Sequence, residues 1–237
     1  MPAYDRSTSE GCREIDRWDR GVGWLAHPDE PGRRAGHAVR GPASDGDGEG
    51  VWLLDPLDGP GVADLVADLG AVVGVAVLSG YHARDAGAFA RRHGVPVHVP
   101  AWVDRPVERI DAPVERTSGS LAGFELRRLR PLRAWHETVA YRRRDGTLYV
   151  PDVLTAEPDF RVGDERVAMN TFSRLRPPRG TFADLEPERI LFGHGEGVFE
   201  DATAALRSAF AGARRRFPRA LVQNAPAELR LMLGALR

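Results

Sequence analysis

The stretch from Val72 to Pro100, VVGVAVLSGYHARDAGAFARRHGVPVHVP, decides the fold. Val72–Leu78 is a continuous apolar run of strand length, the pattern of a strand buried on both faces. A helix is predicted over Ala83–His93, with Ala86, Phe89 and Ala90 on its inner face and Gly94 as its stop. Val95–Val99 then alternates valine with proline and histidine, which reads as a strand placed at an edge by its prolines. A strand, a helix and a second strand in this order make a crossover between parallel strands.

Upstream, Val51–Leu54 is a short apolar strand ending at Asp55-Pro56. After Asp58, a helical stripe of Val62, Leu65, Val66 and Leu69 is closed by Gly70. Residues 51–100 therefore read as strand, helix, strand, helix, strand, the parallel α/β arrangement. Before them lie two short segments, Val22–Ala26 and Ala35–Arg40, and a loose loop over residues 42–50. Residues 1–20 read as a tail or a first short strand.

Downstream the pattern changes. Phe124–Leu129, Thr138–Arg143 and Thr147–Val150 read as consecutive antiparallel strands, with Asp145-Gly146 as a hairpin turn. Residues 156–188 are irregular, and Arg189–Phe192 is a last short strand before Gly193-His194-Gly195. Two helices close the chain. One runs over Asp201–Arg216 with Ala202, Ala205, Leu206, Ala209 and Phe210 inward; the other starts near Pro226 with a stripe of Leu229, Met232, Leu233 and Leu236. That last stripe covers either the protein's own sheet or a second copy. One domain over 1–237 is expected.

Composition narrows the chemistry. All 33 basic residues of the 237 are arginine, against 34 acidic ones, for a formal net charge of −1. With no lysine, Schiff-base, pyridoxal-phosphate and Walker-type mechanisms are excluded. Cys12 is the single cysteine, so no internal disulfide forms. No apolar run reaches the ~18 residues of a membrane span, and the N-terminus lacks a secretory apolar region. A cytoplasmic protein with no membrane partner is expected. The balanced charge argues against a general nucleic-acid binder, and Arg127-Arg128, Arg142–Arg144 and Arg214–Arg216 read as a solvated face.

Four features sit at strand exits or between strands, where α/β sheets bind ligands. They are Ser79–Asp85, Trp135-His136-Glu137-Thr138, Asp152 in YVPDVL, and Gly193-His194-Gly195. Each has an ordinary structural reading: a lone histidine at a strand end is usually hydrogen-bonded, and an aspartate there caps a turn. His27, His37, His93 and His98 lack that context and read as structural. Trp102 and Trp135 lie near strand ends and could line a pocket or belong to the core.

In order and placement these features resemble the metallo-β-lactamase superfamily of metallohydrolases. LLDP with Asp55 is similar to the family's first motif, and Ser79–Asp85 aligns with its Thr-His-x-His-x-Asp-His signature. His136, Asp152 and His194 follow in the family's order over roughly residues 20–215. The resemblance implies a four-layer αβ/βα sandwich of the α/β class and two adjacent metal sites sharing Asp152. The signature is reduced: Gly80, Arg84 and Asp85 stand where the family has histidine, aspartate and histidine. Carried over residue by residue, the first site keeps His82, His136 and Asp152. The second keeps Asp152 and His194, with Asp85 as a substitute ligand or as the group that orients water. Arg84 would repel a second cation and contact an anionic substrate. One metal ion (zinc first, then iron or manganese) or none is expected. Two functions follow: a metal-free binding or regulatory protein, with a small-molecule ligand, or an inactive homologue; or a mononuclear metal-dependent hydrolase of an ester, thioester, lactone or phosphoester.

Overall fold

The computed structural model describes residues 11–43, 48–132, 135–226 and 228–229. The larger sheet has seven strands in chain order: β1 (Arg13–Trp18), β2 (Gly21–Leu25), β3 (Ala35–Pro42), β4 (Glu49–Leu54), β5 (Val72–Ala76), β6 (Val97–Pro100) and β7 (Val114–Thr117). β1 to β4 pair antiparallel, and β4 to β7 pair parallel through crossovers carrying α1 (Val62–Ala67) and α2 (Ala86–His93). The smaller sheet comprises β8 (Ser120–Leu121), β9 (Phe124–Leu132), β10 (Trp135–Arg142) and β11 (Thr147–Val150). A two-stranded ribbon follows, β12 (Leu154–Thr155) with β13 (Ala168–Met169), then the short α3 (Arg179–Phe182). β14 (Arg189–Phe192) completes the smaller sheet by pairing parallel with β11, and α4 (Ala202–Gln223) ends it.

Three apolar layers hold these elements together. Val39, Trp52, Leu54, Leu78, Phe124, Tyr149 and Leu191 fill the space between the two sheets. The helix stripes of Val62, Val66, Phe89 and Ala90 cover the outside of the large sheet. Ala205, Leu206, Ala209 and Phe210 of α4 cover the outside of the small one. Alternate residues of one strand serve two layers: Leu191 faces the other sheet while Ile190 and Phe192 face α4. The result is the expected four-layer αβ/βα sandwich. Leu191 is fully buried, so Leu191→Ala is expected to cost about 3 kcal/mol, read as a lower urea midpoint at unchanged slope.

The structure corrects several expectations. β6 is not an edge strand: β7 covers it. Pro96 precedes β6 and Pro100 ends it, so neither proline removes a bond from the middle of the ladder. The second helix begins at Ala86 rather than Ala83, because Arg84 is left-handed (φ 40°) and cannot enter a helix. Trp135–Glu137 lies inside β10, not between strands. α4 continues past Arg216 through Pro218 to Gln223. Residues 1–10 of the expected tail, Ser44–Asp47 of the loop, and Met232, Leu233 and Leu236 lie outside the described residues.

Candidate functional site

The topology gathers the candidates at one edge. β4, β5, β11 and β14 all end there, and β10, antiparallel to β11, begins there. Backbone bonds stitch the two sheets along this edge: Gly80 N–H donates to His136 O (2.9 Å), Thr138 N–H to Leu78 O (2.7 Å), and Ala35 N–H to Gly193 O (2.9 Å). Gly193 is obligatory in this seam, since a Cβ there would lie 2.3 Å from Pro151 O and 2.8 Å from His82 Cε1.

Asp55, fully buried and left-handed (φ 45°), follows β4. One of its oxygens accepts from Leu78 N–H (2.8 Å), the other from Tyr149 O–H (2.6 Å) and His82 Nδ1 (2.9 Å). That carboxylate sets the His82 ring with Nδ1–H outward and Nε2 toward Asp152 Oδ1, 3.0 Å away. His194 repeats the arrangement: its Nδ1 donates to Gly32 O (2.6 Å), and its Nε2 lies 3.3 Å from the same Asp152 oxygen. Ser79 Oγ–H binds the other Asp152 oxygen at 2.6 Å. One donor atom each from His82, Asp152 and His194 lie within 4.8 Å of one another.

Charge is concentrated here. Burial alone would raise the Asp152 carboxyl, but the His82 and His194 rings beside it hold it well below the usual carboxylate range. Burial and the Arg84 charge oppose protonation of His82, yet Asp152 and Asp55 on its two flanks raise its ring above the ordinary value. Burial lowers His194. Arg84 donates from Nη1 to Ala35 O and Asp55 O (both 2.7 Å) and from Nη2 to Gly193 O (2.9 Å), with Nη2 also 3.2 Å from His82 Nε2.

The structure thus brings His82, Asp152, His194 and Arg84 together and leaves two expected residues outside. His136 falls at a register irregularity between Trp135 and Glu137, and its Nδ1 faces Trp102 O at 3.0 Å. Asp85 turns to α1's approach, where its carboxylate accepts from Asp58 N–H at 2.8 Å. Three of the four Arg84 Nη hydrogens are spent on backbone carbonyls, and the fourth lies toward His82 Nε2. Trp102 partly packs in the core and donates to Thr138 Oγ1, whereas Trp135 stacks on Tyr81 at 4.2 Å. The sequence features include Ser79 and Glu137 without giving either a role, and they pass over Tyr149; Glu137, a charge at the head of an apolar strand, left a signal of its own.

A single ion fits this donor set. Three lone-pair atoms face one another at separations expected of ligands sharing one ion with bonds of roughly 2 Å, and each histidine's outer nitrogen is anchored as metal-binding imidazoles require. A second ion does not fit, because the guanidinium fixed on three carbonyls stands beside His82 and no other ligand group forms among the described residues.

No protein-family model matches the sequence, nor does any curated protein. Solved structures do. The DIM-1 metallo-β-lactamase exposed to ceftazidime shares 10% identity at a TM-score of 0.59, over 88% of this chain and 99% of that one. A metallo-β-lactamase from Pontibacter korlensis shares 13% at 0.55, over 84% and 99%. The mono-zinc form of FIM-1 from Pseudomonas aeruginosa shares 12% at 0.54, over 89% and 99%. With two sheets face to face, helices outside and the ligand-bearing loops along one edge, the chain has the metallo-β-lactamase fold.

Proposed function

We propose that this chain is a hydrolase of ester-like bonds built around one metal ion held by His82 Nε2, His194 Nε2 and Asp152 Oδ1. One observation carries the reading: both imidazoles are anchored at Nδ1, on Asp55 and on Gly32 O, so that both Nε2 atoms face the same carboxylate oxygen. An ion in that position supplies Lewis acidity to a substrate oxygen and acidifies water. The chain does the rest. Ser79 occupies the second oxygen of Asp152, which leaves that ligand monodentate. Arg84 lends a fixed positive charge without moving, the kind of preorganisation that favours developing negative charge. Two histidines and a carboxylate suit zinc first, with iron(II) and manganese as alternatives.

A second reading, a metal-free ligand-binding protein, is favoured by the 3.2 Å approach of Arg84 Nη2 to His82 Nε2. Arg84 would then donate its remaining Nη2 hydrogen to the His82 Nε2 lone pair that an ion would otherwise need. Metal content separates the two. Protein purified without a metal-binding tag, then incubated with zinc, manganese or iron(II), is expected to hold about one ion per chain by plasma mass spectrometry. His82→Ala and His194→Ala are expected to lose it, together with hydrolysis in a panel of carboxylic, thio- and phosphoesters. No ion under any of the three conditions would overturn the hydrolase in favour of the metal-free protein.

A further inference from the structure

Glu137 is fully buried at the head of β10, in a bridge with Ser79. Full burial of a carboxyl is costly without a cation, and the hydrogen-bond partners here are two backbone groups instead. Oε2 accepts from Asp152 N–H at 2.8 Å and from Val153 N–H at 3.2 Å, while Oε1 is buried with no hydrogen-bond partner. Burial, and next the Asp152 charge, push this carboxyl well above its usual range. What the burial achieves is local. The turn after β11 leaves the ladder at Val150, and its next two amides both donate to Glu137. Ser79 fixes the Asp152 side chain from one side, Asn170 fixes its carbonyl (3.2 Å), and Glu137 fixes its amide.

We propose that Glu137 is a positioning residue: it holds the Asp152–Val153 amides so that Asp152 Oδ1 stays aimed between His82 and His194. Its chemical consequence rests on the single-ion reading; its structural claim does not. Two variants separate acceptor from volume. Glu137→Gln keeps a carbonyl that can accept both bonds, whereas Glu137→Met fills the space and accepts neither. Zinc affinity, measured by chelator competition, is expected within about threefold of wild type for Gln and about 10–100-fold weaker for Met, the usual loss on removing an outer-shell partner. Residue-resolved amide exchange provides the second readout. Asp152 and Val153 are expected to be protected in wild type and in Gln, and to exchange faster in Met.

Wild-type zinc affinity in the Met variant would overturn the proposal. So would unprotected Asp152 and Val153 amides in the wild-type protein, a measurement that needs no variant and stands even if Met does not fold. A wild-type protein that takes neither zinc, manganese nor iron(II) would sink the hydrolase reading, and the amide exchange would still decide the role of Glu137.

Discussion

Asp152→Asn is expected to abolish stoichiometric metal binding while leaving the chain folded. The substitution keeps size and shape, and the amide can still accept from Ser79. It removes the negative charge that the two histidines share. With their outer nitrogens bound to Asp55 and Gly32 O, His82 and His194 would offer Nε2 to an ion, a proton leaving where one is held there, and Asp152 is the anion in the set of three. An amide oxygen is a weak ligand for zinc, and its NH₂ group would be pressed against one of the imidazoles. Zinc affinity should therefore fall by more than about 100-fold, beyond the usual loss from an outer-shell change. Thermal unfolding with and without chelator checks this cheaply. Wild-type protein loses stability when the ion is withdrawn, by mass action, and the variant does not respond. A chelator-insensitive wild type would contradict the single-ion centre.

The elements that were legible in the sequence are those whose burial is continuous. Val51–Leu54 and Val72–Leu78 sit in the middle of the large sheet, buried almost throughout, and their apolar runs announce it. β7 left no such mark: Val114–Thr117 is an edge strand with Glu115 and Arg116 exposed, and it exists because β6 offers it a parallel ladder. The site divides in the same way. His82, Asp152 and His194 follow strand ends, and order along the chain sufficed to find them. His136 sits at a register irregularity between β9 and β10 and turns to Trp102 O, which no composition records. The roles of Asp55, Ser79, Tyr149 and Glu137 arise between residues far apart in sequence, such as the Tyr149 bond to Asp55. Helical spacing also misplaced Arg84 and Asp85, because α2 starts only after the left-handed turn that delivers the guanidinium to the seam.

That guanidinium carries the second large effect: Arg84→Met is expected to destabilise the protein by about 3 kcal/mol, since its half-buried fork meets three backbone carbonyls. Arg84 joins the start of β3 at Ala35 O, the end of β4 at Asp55 O and the end of β14 at Gly193 O. Methionine fills the volume but donates to none of these carbonyls; Gly193 O keeps its bond from Ala35 N–H, and a buried acceptor left unmet costs about 1–3 kcal/mol. The left-handed backbone adds strain that the fork now repays through its contacts. Arg84→Lys should recover less than half of the loss, since one ammonium cannot span three carbonyls in the plane of a fork. Zinc then separates the electrostatic from the mechanical part. With the guanidinium gone, no fixed cation stands beside His82 and His194, so a dication should stabilise Arg84→Met more than wild type. At free zinc of 100 times Kd the gain is about 2.7 kcal/mol. Urea unfolding of wild type, Met and Lys, each with and without zinc, gives the comparison. A Met variant within about 1 kcal/mol of wild type would mean that the seam holds without its arginine. Zinc stabilising wild type and Met equally would mean that Arg84 ties the strand ends together without governing the charge at His82 and Asp152.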